Sequence, residues 1–220
     1  MTMNKQIIIN DVEKYKVIAI LRGIPSENLL QVAEALYEGG IRLLEVTYSA
    51  NGSVSDEETA ANIQKLAEHF AGRMHIGAGT VLTTKQVRLT QEAGGTFIIS
   101  PNMKPAVIEE TVKLGLVSMP GVFTPSEACD AVDYGADFVK LFPVTNMGSS
   151  YVKAIKAPLS HIKFLAVGGI DETNMQEYLD AGVSGFGIGS NITNKKMIDN
   201  NDFAGLTALA KKYTEVICHG

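Results

Sequence analysis

Pro125-Ser126-Glu127-Ala128-Cys129-Asp130-Ala131-Val132-Asp133-Tyr134-Gly135-Ala136-Asp137-Phe138-Val139-Lys140-Leu141-Phe142-Pro143 contains one whole structural unit of this chain. Proline is tolerated in the first turn of a helix, and the pattern from Pro125 to Tyr134 is amphipathic. Gly135 stops it, as glycine does at helix C-termini. Phe138–Phe142 is then a short apolar run of strand length, closed by Pro143. Cys129 reads as a packed helix thiol. The unit is a helix passing through a glycine into a buried strand.

The same unit recurs in both directions. Strands are expected at Val17–Leu21, Ile41–Thr47, His75–Gly79, Thr96–Ser100, Leu116–Met119, Phe138–Phe142, Ile162–Val167 and Gly185–Gly189. Helices are expected at Ser26–Tyr37, with Ser26 as cap, and at Thr84–Ala93, Pro105–Leu114, Pro125–Tyr134 and Thr173–Ala181, each followed by glycine. An extra N-terminal helix around Asn10–Tyr15 would cover one end, and a last helix near Phe203–Ile217 the outside. Ser49–Asp56 reads as a mobile polar loop. Eight βα units in 220 residues, 45% of them hydrophobic, predict an α/β fold, a (β/α)8 TIM barrel, as one domain over residues 1–220. An open doubly wound sheet is the alternative.

Composition excludes several classes of function. Net charge is −5 with scattered Lys and Arg, so no nucleic-acid partner is expected. The sequence has no apolar run of spanning length and no signal-peptide pattern at Met1-Thr2-Met3-Asn4-Lys5-Gln6, so a cytoplasmic protein is expected, without a membrane partner. Cys129 and Cys218 are too far apart for metal-ligand spacing. Of the histidines, His69 ends a helix, His75 and His161 stand at strand starts, and His219 is in the tail, so no metal is expected.

Lys140 interrupts an apolar strand. An ammonium there must be solvated, paired or partly neutral, because burial disfavours its charge. A neutral amine is a nucleophile toward ketones. A structural ion pair or a phosphate-binding lysine are the other readings. Barrel chemistry sits where strands end, and those positions hold Arg22, Glu45, Thr80, Pro101, Lys140, Gly168, Gly169, Gly189 and Ser190. Alternation puts Leu43, Glu45 and Thr47 on one face and Leu44, Val46 and Tyr48 on the other. Glu45 is either an internal salt-bridge partner of Arg22 or Lys140, or a proton shuttle beside the amine. Arg22 suits a carboxylate or phosphate, or is a surface turn residue. Gly168-Gly169 and Gly189-Ser190, after the last two strands, are the phosphate candidates. Gly77-Ala78-Gly79-Thr80 lacks the third glycine of a dinucleotide fingerprint, so no nicotinamide and no other cofactor is expected.

Ala19-Ile20-Leu21-Arg22-Gly23, Glu45-Val46-Thr47, Gly77-Ala78-Gly79-Thr80-Val81-Leu82, Ser100-Pro101-Asn102, Pro120-Gly121, Val139-Lys140-Leu141-Phe142-Pro143 and Ala166-Val167-Gly168-Gly169-Ile170 resemble, in order, the class I 2-keto-3-deoxy-6-phosphogluconate aldolases. That family includes the 6-phosphogalactonate and 4-hydroxy-2-oxoglutarate enzymes. The resemblance implies a (β/α)8 barrel, a homotrimer, no metal, and retro-aldol cleavage of a 2-keto sugar-acid phosphate to pyruvate and glyceraldehyde 3-phosphate. It makes Lys140 the imine lysine, Glu45 the proton-transfer group, Arg22 and Thr80 the pyruvyl binders, and Pro101 a pocket wall. Gly168, Gly169 and Ser190 become the phosphate end, beside Gly189. Many gluconate-type members have arginine soon after Val-Thr, where this chain reads Thr47-Tyr48-Ser49-Ala50-Asn51; the Arg22-Gly23 version of strand one is instead like the galactonate type. A phosphate-binding isomerase or epimerase, and a non-catalytic sugar-phosphate-binding barrel, are the alternatives.

Overall fold

The computed structural model describes residues 2–219, and side chains from 5 to 218; Met1, Gly220 and the side chains of Thr2, Met3, Asn4 and His219 lie outside the described residues. Its centre is a parallel sheet of β1 (Val17–Leu21), β2 (Leu43–Thr47), β3 (His75–Gly79), β4 (Phe97–Ile99), β5 (Val117–Met119), β6 (Gly121–Val122), β7 (Val139–Leu141), β8 (Phe164–Val167) and β9 (Gly185–Ile188). The order is β5-β4-β3-β2-β1-β9-β8-β7-β6. The two outermost strands, β5 and β6, are consecutive in the chain and separated only by Pro120. Proline has no N–H to continue a ladder. Its carbonyl still accepts from Lys140 N–H at 2.9 Å, while Met119 O accepts from Ser100 N–H at 3.3 Å on the other side. The broken strand therefore fills one place, and the nine segments close the expected eight-place barrel.

Alternation along the strands sorts the core into two layers. Ile18, Leu43, Phe97, Met119, Phe138 and Leu165 fill the interior, together with Ile8 and Val12 from α1 (Thr2–Tyr15). Leu44, Val46, Ala19 and Val139 point outward against the helices. The extra helix α1 is longer than the six residues expected and closes the floor, at the strands' N-terminal ends. Lys5–Asp137 at 2.9 Å, Asp11–His75 at 2.8 Å and Glu13–Lys163 at 3.1 Å pin it to three places on the ring.

The outer helices are α2 (Leu29–Glu38), α3 (Asp56–His69), α4 (Thr84–Glu92), α5 (Pro105–Lys113), α6 (Pro125–Asp133), α7 (Gly148–Lys156), α8 (Met175–Asp180), α9 (Lys195–Asp199) and α10 (Phe203–His219). Capping boxes at Thr83/Gln86 and Thr124/Glu127 start α4 and α6, and Ser55 caps α3. The expected Ser26 cap does not form: residues 26–28 turn, Asn28 N–H donates to Pro25 O, and α2 begins at Leu29. The Ser49–Asp56 loop is closed by its own hydrogen bonds, Ser49 Oγ meeting Asn51 and Ser53. The last helix returns to the first unit. Ala210 Cβ fills the space a Cβ on Gly39 would need, Thr207 Oγ1 donates to Ala35 O, and β9 pairs with β1.

Candidate active site

In the sheet order three strands separate β2 from β7 on one side (β1, β9, β8), and three places separate them on the other. Glu45 on β2 and Lys140 on β7 therefore stand on opposite walls of the barrel. Glu45 belongs to the inward register of Leu43, and Lys140 to that of Phe138. Their side chains face each other across the interior, near the strands' C-terminal ends. Glu45 is 1% and Lys140 5% exposed.

Two buried ionisable groups must either pair closely or shift. Among the described residues, neither Glu45 oxygen has a hydrogen-bond partner. Burial pushes the carboxyl above its usual range, with Lys140 and Arg22 pulling the other way. Burial pushes the Lys140 amine below its usual range, opposed by Glu45 and assisted by Arg22. An amine held low is the form able to attack a carbonyl, and a carboxyl held high can give and take protons near neutrality. The Lys140 nitrogen also lies 4.6 Å from the centre of the Phe142 ring, a half-open side chain at the mouth.

Gly79 explains how Glu45 fits. A Cβ built there would lie 1.6 Å from Glu45 Oε1, so the glycine supplies the hole that holds the carboxyl. Gly77 does the same for Phe97, whose ring would meet a Cβ at 2.2 Å. These glycines serve side-chain packing. Alanine at position 79 must displace the carboxyl, and kcat is expected to fall about 10²-fold, the order of loss for misplaced reacting groups. Gly77→Ala is expected to lower Tm instead. Steady-state kinetics and thermal melts of the two variants separate the effects, and equal kcat in wild type and Gly79→Ala contradicts this account.

The sign of the pH effect on stability follows from the two shifts. Between the lowered Lys140 pKa and its ordinary 10.5, the unfolded chain holds a proton that the folded chain lacks, so this group's contribution falls as pH falls through that window. Between the ordinary 4.5 of Glu45 and its raised value, the folded chain holds the extra proton, and stability is lost as pH rises. Both groups thus cost stability at neutral pH. The double variant Lys140→Met/Glu45→Gln is expected to melt above wild type there, by about 1–4 kcal/mol. The gap narrows toward acid and toward alkali. Melts across pH check it, and a double variant less stable than wild type at neutrality refutes it.

Arg22 follows β1 and is exposed, with Nη2 donating to Thr80 Oγ1 at 3.4 Å. Thr80 has φ 56, uncommon for a β-branched residue, and holds its hydroxyl beside the guanidinium. A cleft of about 300 Å³ is walled by Arg22, Lys140, Phe142, Gly168, Gly169, Gly189 and Ser190. Arg22 and Thr80 also line a larger neighbouring hollow between the β1 and β2 loops. Gly168 and Gly169 have φ of 100 and 71, and a Cβ on Gly169 would meet Thr145 Oγ1 at 2.7 Å. Gly189 O accepts from the N–H groups of Ile192 and Thr193, so the N–H groups of Ser190 and Asn191 open a turn without partners inside it. Backbone of this kind suits an anion.

The structure therefore gathers Lys140, Arg22 and the two glycine pairs around one cleft, with Glu45 buried across the barrel from Lys140. Pro101 is not gathered in. It is half-buried, borders neither hollow, and packs its backbone over Gly121. Two residues assigned no role from the sequence hold the last loop: Asn191 Nδ2 donates to Ile170 O, and the hydroxyl of buried Thr193 lies within reach of Gly189 O and Ile20 O. Their only signal was a run of polar residues directly after a strand. Among the described residues, no helix is long and apolar enough to cross a membrane.

Known proteins match this chain over most of its length. The family model described as KDPG and KHG aldolase matches residues 8–209. A probable 2-dehydro-3-deoxy-6-phosphogalactonate aldolase of Rhizobium meliloti is 43% identical over 176 residues, 80% of each chain. The 2-dehydro-3-deoxy-6-phosphogalactonate aldolase of Escherichia coli is 32% identical over 93% of this chain and 97% of its own. The crystal structure of KDPG aldolase from Legionella pneumophila, with pyruvate captured as a covalent carbinolamine, superposes with a TM-score of 0.82 at 32% identity, over 92% of this chain and 96% of that one.

Proposed function

We propose, from the premise that this chain belongs to the KDPG and KHG aldolase family, that it cleaves a 2-keto-3-deoxy-6-phospho sugar acid to pyruvate and glyceraldehyde 3-phosphate, with Lys140 forming the imine. The chain is a class I aldolase, a carbon–carbon lyase. The isomerase and non-catalytic readings are not favoured. The observation that carries the residue assignment is the buried amine of Lys140 facing the buried, unpartnered carboxyl of Glu45.

In this mechanism the neutral Lys140 amine adds to the C2 ketone, and Glu45 relays protons as the carbinolamine loses water. The resulting iminium is an electron sink. Glu45, through water, removes the C4 hydroxyl proton; the C3–C4 bond breaks, its electrons form the enamine, and the aldehyde leaves. Protonation at C3 and hydrolysis then return the lysine and release pyruvate. Arg22 and Thr80 hold the substrate carboxylate. Gly168, Gly169, Gly189 and Ser190 hold the phosphate through backbone N–H groups.

The galactonate configuration at C4 is favoured by the Arg22-Gly23 strand end and by the 43% identity to the probable galactonate-type enzyme. The test is pyruvate release from both C4 epimers, each with and without the 6-phosphate, in chelator. Faster turnover of the phosphorylated galactonate epimer, unaffected by chelator, is the expected result; equal rates with and without phosphate refute the role of the glycine loops. The family resemblance further points to a homotrimer acting in the cytoplasm, and light scattering of the purified protein checks its mass.

A further inference from the structure

The floor of the barrel, opposite the catalytic rim, carries a cavity of about 650 Å³ between α1, the end of α2 and the turn from α3 to β3. Arg42, Arg73, His75, Asp11, Tyr15 and Tyr37 stand in its walls. We propose that this floor cavity binds a small organic oxyanion, a metabolite bearing phosphate or carboxylate groups, through the guanidinium groups of Arg42 and Arg73.

Both groups are fixed in place. Arg42, half-buried, donates through Nη1 to Tyr37 O at 2.9 Å and Ile41 O at 2.8 Å, with its Cζ 4.2 Å from the centre of the Tyr37 ring. Arg73 donates through Nη2 to His69 O at 2.7 Å, with its Cζ 5.2 Å from the same ring centre and 4.8 Å from that of Phe70. Two guanidinium carbons thus lie within 5.2 Å of one ring centre. Stacking and carbonyl bonds have already ordered these planar forks, so an oxyanion loses little entropy to them.

Their charge is poorly compensated. Asp11 is engaged by His75 at 2.8 Å. Glu34 reaches Arg73 only at 3.9 Å and contacts His69 more closely. Among the described residues, no carboxylate comes within 4.0 Å of Arg42. Two guanidinium charges lining one cavity repel until a counter-charge joins them. The volume exceeds what a bare phosphate fills and falls in the range of small-molecule sites. Tyr15 borders it and offers a hydroxyl to a polyhydroxy ligand. Such a ligand bridges α1 to the α3–β3 turn, and binding only the folded state raises Tm.

The test is titration calorimetry and thermal melting of the full chain with citrate and with inorganic phosphate, at constant ionic strength. Arg73→Gln carries it, since this exposed side chain gives up a single carbonyl bond; Arg42→Gln, which strips two carbonyls of their donor, is the second variant. Arg22→Gln controls for binding at the catalytic rim. The expected result is citrate binding weakened about tenfold in Arg73→Gln, one or two charge-assisted bonds' worth, unaltered in Arg22→Gln, with aldolase kcat/KM of Arg73→Gln equal to wild type. Tighter citrate than phosphate marks a carboxylate ligand, and the reverse a phosphate. Binding equal in wild type and Arg73→Gln, binding lost in Arg22→Gln, or no binding to wild type overturns the proposal. The binding and melting readouts need no turnover, so their failure leaves the aldolase reading standing.

Discussion

Lys140→Ala is expected to abolish the trapping of pyruvate by borohydride and to lower kcat/KM by at least about 10⁴-fold, a modest part of the acceleration enzymes supply. Among the described residues, no other lysine borders the 300 Å³ cleft. The amine held low by burial is the group able to condense with a ketone, and without it the reaction loses its electron sink. The folded state survives the change, because alanine removes an amine whose desolvation opposed folding. Mass spectrometry after reduction reads the result directly. A pyruvate-dependent mass gain that persists in the alanine variant assigns the chemistry to another lysine and ends the mechanism.

Glu45→Gln is expected to lower kcat by roughly 10²–10⁴-fold, the range for a positioned general acid–base group. Glutamine keeps the shape that Gly79 accommodates and cannot ionise, so the geometry stays while proton transfer goes. Tm should not fall, since neither carboxylate oxygen makes a hydrogen bond that the variant would lose. Slow turnover with a normal melt supports the shuttle. A loss of less than tenfold, or a loss matched by unfolding, assigns Glu45 to structure.

The barrel was legible in the sequence because its signals are local. Glycine after five of the outer helices, proline at the first turn of two and short β-branched runs need no partner to be read, and β1 and β3 match expectation residue for residue. Helices α7 and α9 escaped notice. The first opens with Gly148-Ser149-Ser150, poor helix formers held by the barrel they pack on, and the second has only five residues. The fifth strand read as ending at Met119, and its continuation past Pro120 as Gly121–Val122 is a matter of which neighbour each half bonds. Lys140 and Glu45 stood out because charge inside an apolar strand is anomalous by itself. The fit of Glu45 into Gly79, the ties made by Asn191 and Thr193, and the floor arginines depend on residues far apart in the chain. Only the closed ring brings those together.

The ring closes between its first and last members, β1 against β9 and α2 against α10. During synthesis the earliest strand therefore emerges with one bonding edge bare, and it stays so until residues beyond Ile188 leave the ribosome. Its run Val17-Ile18-Ala19-Ile20-Leu21 is apolar and without charge, the kind of edge that recruits stray strands. Until then the nascent chain carries an unpaired apolar edge, and a product truncated before β9 keeps that edge open.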